Sequence, residues 1–390
     1  MDRSTMALGY KTSLSAKAAG SRKATVVCRA AVARPTTQMK AGVVYGKELT
    51  DLMEDAQVRG YAIPAVNCTS SSIINATMES AKEAKAPVMV QFSNGGGVSI
   101  AGKAVTNKNQ EASVAGCIAG ALHVRQMAKY YGVPVVLHTD HCSKALLPWM
   151  DGMMKANRAH FDKEGEPLFS SHMLDLSEEP IHENLEICER YLKEMKSMGI
   201  LLEMELGITG GEEDGVDNSN ANKEDLYSKP EEILQVYEAL EPLAPKGYSI
   251  AAAFGNVHGV YSPGNVQLTP SILGNAQKFI QKQKSTSDKP VYFVFHGGSG
   301  SSRAEIREAI SYGVVKMNID TDTQWAYWDG ARAYEAKNRA YLQGQIGNPE
   351  GPEKPNKKYY DPRQWTRAGE QALVARMQIA FADLNCLNVL

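Results

Sequence analysis

Three of the eight histidines in the sequence follow short apolar runs: His141, His258 and His296. The run before His141 reads PVVLHTD (134–140), with the β-branched and aliphatic composition of a buried strand. Three imidazoles that converge on one point form a zinc site with one position open for water or substrate. The sequence therefore predicts a metal site, on the condition that these three runs end at one place in the fold.

Two further apolar runs end in acidic residues, which adds carboxylates to the set of candidate metal ligands. Asp175 and Glu205 are such residues, and carboxylates beside imidazoles either bind a second divalent ion or orient the first ligands. The sequence leaves both alternatives open. Asp140 directly precedes His141, while strand alternation places His138 with Asp140 and opposite His141. We therefore expect His138 to support the site rather than to bind metal.

Two loops have the composition of phosphate sites. HGGSGSSRAEI (296–306) follows an apolar run and leads into a helical pattern, so its backbone N–H groups and the helix N-terminus could hold an anion. NIDTDTQ (318–324) repeats the arrangement, and phosphate sites after the last two strands recur in barrel enzymes. NGGG (94–97), after Ser93, is a weaker signal, because its glycines could equally clear space for packing.

A long polar segment, 207–230, is rich in glycine and acidic residues. Loops of this length in compact domains are usually lids or other functional segments. Glu212 and Glu213 follow two glycines, so either carboxylate could swing onto a bound substrate. A solvated acidic loop is the alternative, whereas the ligand spacing of a calcium-binding loop is absent.

Eight short apolar runs alternate with segments of helical spacing, which predicts a parallel sheet. Eight strands in about 250 residues match a (β/α)8 TIM barrel, here with extra C-terminal helices in a single domain over 41–390. An open doubly wound sheet is the alternative, but no glycine-rich dinucleotide turn follows the first run. In a barrel all eight runs end at one rim, so the condition for the metal site is met. The runs are 61–67, 87–93, 134–140, 172–176, 201–207, 249–255, 291–297 and 314–320, and the helical segments include 73–85, 183–199, 230–243 and 303–313.

The first 40 residues differ in composition from the rest of the chain. They hold one acid against eight bases and many Ala, Ser and Thr residues, which is typical of an organellar transit peptide. A disordered linker tail is the alternative. Removing their net +7 from the whole-chain −2 leaves −9 on residues 41–390, so nucleic acid is not expected as a partner.

Neither a membrane nor a disulfide framework is expected. No apolar run approaches the ~20 residues that cross a bilayer. The six cysteines are far apart and form no C-x-x-C motif, which predicts free thiols.

A metal with an open position, phosphate loops and separate carboxylates suit a phosphorylated carbonyl substrate. The metal would polarise the carbonyl, a loop carboxylate would remove the α-proton, and Asp140 would exchange a proton with the other fragment. These steps serve an aldol reaction, an isomerisation or an epimerisation, and spacing does not separate the three.

The motifs HTDHC, FSSHMLDLSEE, ELGITGGEEDGVDN, FGNVHGVY, FVFHGGSGS and GVVKMNIDTDTQWA resemble those of the zinc-dependent, class II fructose-bisphosphate aldolases of the dimeric bacterial type. The resemblance covers residues 42–390. It implies reversible cleavage of fructose 1,6-bisphosphate to dihydroxyacetone phosphate and glyceraldehyde 3-phosphate through a zinc-stabilised enediolate, in a homodimer. With the N-terminal segment it implies a plastid enzyme of the Calvin cycle and glycolysis, and a mitochondrial address is the alternative.

The resemblance also implies a role for each candidate residue. The metal ligands are His141, His258 and His296 for Zn²⁺, with Asp175 and Glu205 at a second metal position. Asp140 gives the proton to the aldehyde oxygen, and Glu213, with Glu212 as the less favoured choice, takes the proton from dihydroxyacetone phosphate. The substrate-binding residues are Asn67, Ser93, Gly259, Gly297, Gly298, Ser299, Asn318, Ile319, Asp320, Thr321 and, for the distal phosphate and across a dimer, Arg363. The backbone of the phosphate loops is also expected to bind a monovalent cation, Na⁺ or K⁺.

Three alternatives stay open at this point. A tagatose-bisphosphate aldolase would carry the same zinc and phosphate residues. A Schiff-base aldolase would need a strand lysine, and Lys316 lies on the same side of its strand as Asn318 and Asp320. From a different class, the barrel could be an inactive sugar-phosphate sensor, although the complete set of histidines and carboxylates argues against it.

Overall fold

A closed barrel of eight parallel strands forms the centre of the fold. The computed structural model describes residues 39–390 except 208, 214–215, 218–225, 259–267 and 299, and the backbone alone at 210–213, 216–217 and 258. Each barrel strand pairs with its neighbours in sequence, and the last pairs with the first. The strands are β1 (Ile63–Asn67), β2 (Val88–Phe92), β3 (Pro134–Thr139), β4 (Ser171–Leu174), β5 (Leu201–Leu206), β6 (Tyr248–Ala252), β7 (Phe293–Phe295) and β8 (Val314–Asn318). The predicted (β/α)8 TIM barrel is therefore confirmed, with one strand in each predicted run.

Helices connect the strands and extend beyond the barrel at the C-terminus. Pro230 opens one predicted helix and Gly199, with φ 74°, ends another, as the sequence indicated. The helices are α1 (Gly46–Arg59), α2 (Ser71–Ala84), α3 (Asn94–Ala101), α4 (Glu111–Tyr131), α5 (Leu147–Glu164), α6 (Ile181–Met198), α7 (Pro230–Leu240), α8 (Ser271–Lys284), α9 (Arg303–Ser311), α10 (Thr321–Asn338), α11 (Lys357–Tyr360) and α12 (Pro362–Asp383). The extra C-terminal helices are present, and α12 is joined to α2 by a bidentate ion pair between Arg367 and Glu79, with both N–O distances 2.6 Å.

Every residue of the eight strands is buried. Apolar side chains make up most of both strand faces, as expected for parallel strands covered by helices. Charged and strongly polar side chains interrupt this pattern and face the barrel interior, among them Gln91, His138, Glu203 and Lys316. Buried polar groups of this kind must pair with one another, and these pairs build the floor of the site described below.

Gly97 of NGGG serves the packing of α3 against α4. A Cβ at Gly97 would lie 2.7 Å from Cys117 Sγ, and a Cβ at Gly116 would lie 2.7 Å from the carbonyl carbon of Gly97. Ser93 caps α3 by accepting a hydrogen bond from Gly96 N at 3.1 Å. The packing alternative is therefore confirmed for Gly97, whereas a Cβ at Gly95 would meet nothing within 4 Å.

Shorter elements complete the described chain. Gly42–Val43 adds a parallel strand beside β3, and Ile346–Asn348 pairs with Gly351–Pro355 in a hairpin. The described residues, from Met39 onward, belong to one compact unit. Residues 1–38 lie outside the description, so the transit peptide remains a prediction. Within the described part of the chain, no helix combines the length and apolar character required to cross a membrane.

Candidate active site

Asp140 follows β3 and is fully buried at the barrel rim. Its carboxylate accepts hydrogen bonds from three side-chain amides: Gln91 Nε2 at 2.8 Å, Asn67 Nδ2 at 3.1 Å and Asn318 Nδ2 at 3.3 Å. Burial alone would raise the pKa of Asp140, but the neighbouring cationic groups, led by His141, lower it to about 2. The carboxylate is therefore ionised and held in one orientation, where it can accept a proton.

His141 adopts φ 42°, in the left-handed region that side chains other than glycine rarely enter. This turn ends the strand alternation after Asp140, so the two consecutive side chains lie on the same side. His141 Nε2 is 4.0 Å from Asp140 Oδ2, and His138 Nε2 is 3.8 Å from Asp140 Oδ1. The expectation that His138 and Asp140 face away from His141 was therefore wrong, because alternation does not continue through a residue with positive φ.

Two imidazoles and two carboxylates meet beside Asp140. His141 Nδ1 is 3.0 Å from Asp175 Oδ2 and 3.6 Å from Glu205 Oε2, and His296 Nδ1 is also 3.6 Å from Glu205 Oε2. The rings of His141 and His296 lie 4.9 Å apart between centroids. The strand ends thus bring four of the five predicted metal ligands together.

The donor atoms of this cluster fit a divalent cation. Two ligands of a tetrahedral zinc ion lie about 3.3 Å apart, given bonds of about 2.0–2.1 Å, which is close to the 3.6 Å spacings around Glu205. Glu205 Oε2 is buried and accepts no hydrogen bond from any residue in the described ranges. Burial and the adjacent Asp175 raise the pKa of Glu205 well above its usual value, and a cation here would relieve that repulsion.

The third predicted zinc ligand lies on a short strand whose backbone alone is described. Val257–His258 pairs in parallel with Gly210–Glu213, with His258 opposite Gly211. The same acidic strand pairs with Val216–Asp217 on its other edge. The backbone that carries Glu212 and Glu213 is therefore joined directly to the backbone that carries His258, and the side chains of these three residues lie outside the description.

The loop after β7 requires glycine at two positions. Gly297 has φ 60°, and a Cβ there would lie 2.6 Å from the carbonyl carbon of Val257. A Cβ at Gly298 would lie 2.9 Å from Met317 Cγ. The loop backbone thus packs against the Val257–His258 strand and against β8, as expected of a backbone cradle. Two other predicted phosphate residues, Gly259 and Ser299, lie outside the described residues.

The helix after this loop is capped by its own residues. Ser302 Oγ accepts from Glu305 N at 3.3 Å, and Glu305 Oε2 accepts from Ser302 N at 2.9 Å. This capping box places a carboxylate at the α9 N-terminus and occupies the N–H groups of Ser302 and Glu305, so the contribution of that helix end to anion binding stays a prediction. The glycine backbone before Ser302 remains the candidate.

Asp320 and Thr321 begin α10, while Ile319 belongs to the barrel. Ile319 is buried and its N–H donates to Ala65 O at 2.9 Å. Thr321 is the first residue of α10, where backbone N–H groups have no partner within the helix. Among these residues, the turn at Thr321 has the N–H groups that suit an anion.

Arg363 lies outside this cluster, at the first turn of α12. Its side chain is 85% exposed, and its Nη2 pairs with Asp361 Oδ2 at 2.5 Å. Its predicted contact with the distal phosphate of a partner subunit's substrate stays a prediction.

The sequence analysis missed two residues of the site. Gln91 holds Asp140, and Glu203 Oε1 accepts a hydrogen bond from His296 Nε2 at 2.9 Å. Both carried a signal, because each is a polar residue inside an apolar strand. Glu203 is two positions before Glu205 and so shares its face.

We expect replacement of Gly297 by Ala to raise KM for a phosphorylated substrate and to lower kcat, with a loss of about 10² in kcat/KM, the cost of displacing a binding group by roughly 1 Å. The added Cβ would meet the Val257 backbone in a conformation that alanine disfavours. Gly95→Ala is the matched control, since a Cβ there meets nothing within 4 Å. Steady-state kinetics on both variants check this, and equal kinetics would show that the loop does not hold substrate.

The cysteines near the site are expected to be inert in the folded protein. Cys142, next to the candidate metal ligand His141, and Cys68 are both buried; burial raises the pKa of Cys142 and raises that of Cys68 to about 12. Iodoacetamide should modify neither until denaturant is added, as mass spectrometry of digests would show. Rapid modification of Cys142 in the native protein would contradict the packing described here.

Comparison with known proteins places this geometry in a family. The family described as Fructose-bisphosphate aldolase class-II matches residues 47–389. The fructose-bisphosphate aldolase of Campylobacter jejuni is 58% identical over 351 residues, which cover 90% of this chain and 98% of that protein. The fructose-bisphosphate aldolase class 2 of Escherichia coli K12 is 55% identical over 353 residues, with the same coverage. A crystal structure of the Campylobacter jejuni aldolase matches with a TM-score of 0.82 at 57% identity, over 90% of this chain and 97% of that chain.

These matches extend over the whole barrel and the C-terminal helices, and they include every described residue of the site. The chain belongs to the class II fructose-bisphosphate aldolase family.

Proposed function

We propose that this chain cleaves fructose 1,6-bisphosphate reversibly into dihydroxyacetone phosphate and glyceraldehyde 3-phosphate, with a zinc ion held by His141, His258 and His296. The observation that carries this proposal is the cluster of Asp140, two imidazoles and two carboxylates at the rim of a barrel from the aldolase family. A zinc ion bound there would polarise the C2 carbonyl and stabilise the negative charge that bond cleavage leaves on it.

The chain's own residues move the protons. Asp140, ionised and held by three amides, accepts the proton of the C4 hydroxyl while the C3–C4 bond breaks. The C4 oxygen becomes the aldehyde oxygen of glyceraldehyde 3-phosphate. The electron pair of the broken bond stays on the fragment that becomes dihydroxyacetone phosphate. Glu213, or less favourably Glu212, then gives a proton to C3 and completes dihydroxyacetone phosphate. In the condensation direction the same two groups act in reverse.

The substrate is held through its phosphates and hydroxyls. The backbone of Gly297 to Ser299, Gly259 and the turn at Asp320 and Thr321 binds one phosphate together with a monovalent cation. Asn67 and Ser93 contact the sugar chain. In a homodimer, Arg363 reaches the distal phosphate of the substrate that is bound to the partner subunit. Asp175 and Glu205 hold a second divalent ion or, through the 3.0 Å contact of Asp175 with His141, orient the first set of ligands.

The N-terminal segment supports a plastid location in this proposal. Its support is the acid-poor, basic and Ser-rich composition of residues 1–40, and the acidic remainder fits a soluble stromal enzyme of the Calvin cycle and glycolysis. Fusion of residues 1–40 to a fluorescent protein tests the address, and signal in mitochondria would select the alternative.

The geometry around Lys316 favours metal-dependent chemistry over a Schiff base. Its Nζ is buried and lies 2.8 Å from both carboxylate oxygens of Glu203, an arrangement that suits an ammonium ion rather than a nucleophilic amine. Incubation with substrate and borohydride should therefore leave the activity of the full chain unchanged. Inactivation, with borohydride-trapped substrate on Lys316, would replace the proposed mechanism.

The substrate is tested by comparing fructose 1,6-bisphosphate with tagatose 1,6-bisphosphate. We expect a higher kcat/KM for the fructose compound, measured by the release of triose phosphate. A higher value for the tagatose compound would change the substrate, and binding of both without cleavage would support the sensor alternative.

A further inference from the structure

A buried charged cluster lies below the candidate metal ligands and beside Asp140, with Lys316 Nζ 3.9 Å from Asp140 Oδ1, and no step of the proton transfers proposed above has been assigned to it. Lys316 Nζ donates to both oxygens of Glu203 at 2.8 Å and lies 3.2 Å from His138 Nε2. Lys316 is only 1% exposed, and Glu203 and His138 are equally buried. Burial of an ammonium ion and a carboxylate costs several kcal/mol per ion before pairing. Apolar side chains would therefore fill the barrel interior at a lower cost in free energy.

The hydrogen bonds in this cluster determine one tautomer for each imidazole. An ammonium ion can only donate, so His138 Nε2 accepts from Lys316 and His138 Nδ1 donates to Ser171 Oγ at 2.8 Å. Burial, with Lys316 next, lowers the pKa of His138 to about 3, which agrees with a neutral ring. A carboxylate can only accept, so His296 Nε2 carries the proton that it shares with Glu203 Oε1 at 2.9 Å.

This assignment sets the direction in which His296 presents its lone pair. With the proton on Nε2, the lone pair is on Nδ1, the atom 3.6 Å from Glu205 Oε2 in the metal cluster. Lys316 Nζ donates to both oxygens of Glu203, at 2.8 Å each, and so fixes the plane of that carboxylate. Without Lys316, Glu203 would lose two of the hydrogen bonds that hold this orientation and would be free to rotate.

We propose that Lys316 is a positioning residue for the metal site, because it holds Glu203 in the orientation that fixes His296 with Nδ1 toward the metal. The inference rests on the proposed function for the presence of the metal. Lys316 itself touches neither metal nor substrate in this assignment. Outer partners of this kind typically contribute a factor of 10–100 to metal affinity.

The test measures the zinc affinity of the full chain by equilibrium competition with a chelator of known affinity. Lys316→Met keeps the length of the side chain without its charge, and Glu203→Gln keeps its shape. Each should bind zinc about 10–100-fold more weakly than the unchanged protein. At saturating zinc, kcat should fall while KM for fructose 1,6-bisphosphate stays nearly constant, because the phosphate loops do not include either residue.

Ser171→Ala is the matched control, because it also removes a hydrogen bond from the buried cluster, at His138 Nδ1, without touching Glu203. Its zinc affinity should stay within about threefold of the unchanged protein, although its melting temperature should drop. A merely structural role for Lys316 would lower the melting temperature of Lys316→Met and leave zinc affinity unchanged, and this result would overturn the inference. If Lys316→Met does not fold, normal zinc affinity in Glu203→Gln would overturn it.

The two proposals fail in different ways. Absence of zinc binding by the unchanged protein would overturn both the zinc-dependent function and the inference. Normal zinc-dependent cleavage by the unchanged protein, with equal zinc affinity in the variants, would overturn the inference alone.

Discussion

Treatment with EDTA should abolish cleavage of fructose 1,6-bisphosphate, and added Zn²⁺ should restore it. The expected loss is about 10³-fold or more, because a catalytic metal supplies several kcal/mol of charge stabilisation in the transition state. The donor set supports this result, since His141, His296 and Glu205 are buried, Asp175 is half-buried, and the spacings suit a cation. Cleavage rate against zinc content, determined by elemental analysis, checks the prediction.

Two further observations make this result specific. His141→Ala should match the EDTA-treated protein and should not be rescued by zinc. Chelation should also lower the melting temperature, because a ligand bound only to the native state stabilises it, whereas a general effect of EDTA on the assay would leave it unchanged. Full activity in protein that elemental analysis finds free of metal would exclude the zinc mechanism.

Asp140→Asn should lower kcat for cleavage by about 10²–10⁴, the usual contribution of a positioned acid–base group. The substitution keeps the shape of the side chain and removes its ability to accept the C4 hydroxyl proton. KM should change little, since the phosphate loops are elsewhere on the rim. Because a different carboxylate acts at C3, the variant should still exchange the C3 proton of dihydroxyacetone phosphate with D₂O, which NMR can follow.

Thr139→Val is the matched control for this variant. Thr139 is adjacent in the same strand and equally buried, but its hydroxyl bonds to His172 Nδ1 at 2.7 Å on the other face of the strand. We expect a stability loss and an almost unchanged kcat. If Asp140→Asn retained more than about a tenth of the cleavage rate, or lost proton exchange and cleavage together, Asp140 would not be the proton acceptor at C4.

The fold was predictable because its pattern is regular. Eight apolar runs ended on Asn67, Ser93, Asp140, Asp175, Glu205, His258, His296 and Asn318, and a parallel barrel gathers strand ends at one rim. Ligand types at strand ends therefore predicted the cluster of His141, His296, Asp175 and Glu205, all of which the structure brings together. The periodicity of apolar residues was sufficient to predict the strands and the residues at their ends, because the backbone there is regular.

The errors arose where local geometry departs from that regularity. Strand alternation gave the wrong position of His138 relative to His141, because the motif HTDH contains no signal for a residue with positive φ. The capping box of Ser302 and Glu305 at the α9 N-terminus was not predicted, although HGGSGSSRAEI contains both residues. Gln91 and Glu203 were missed because their importance depends on partners from distant strands. Pairing across a barrel is a property of the fold and is not encoded near either partner.

The left-handed turn at His141 makes the proposed proton acceptor, Asp140, and a proposed metal ligand, His141, chain neighbours on one face. Their separation is therefore set by covalent bonds through a single peptide unit, whereas the separation between Asp140 and His296 depends on the packing of distant strands. Thermal fluctuations of the barrel strands can increase the distance between Asp140 and His296 more than the distance between Asp140 and His141. On heating, the distance between Asp140 and His296 should therefore change before the distance between Asp140 and His141. Substitutions in the barrel core can change metal binding through His296 without changing the relative position of residues 140 and 141.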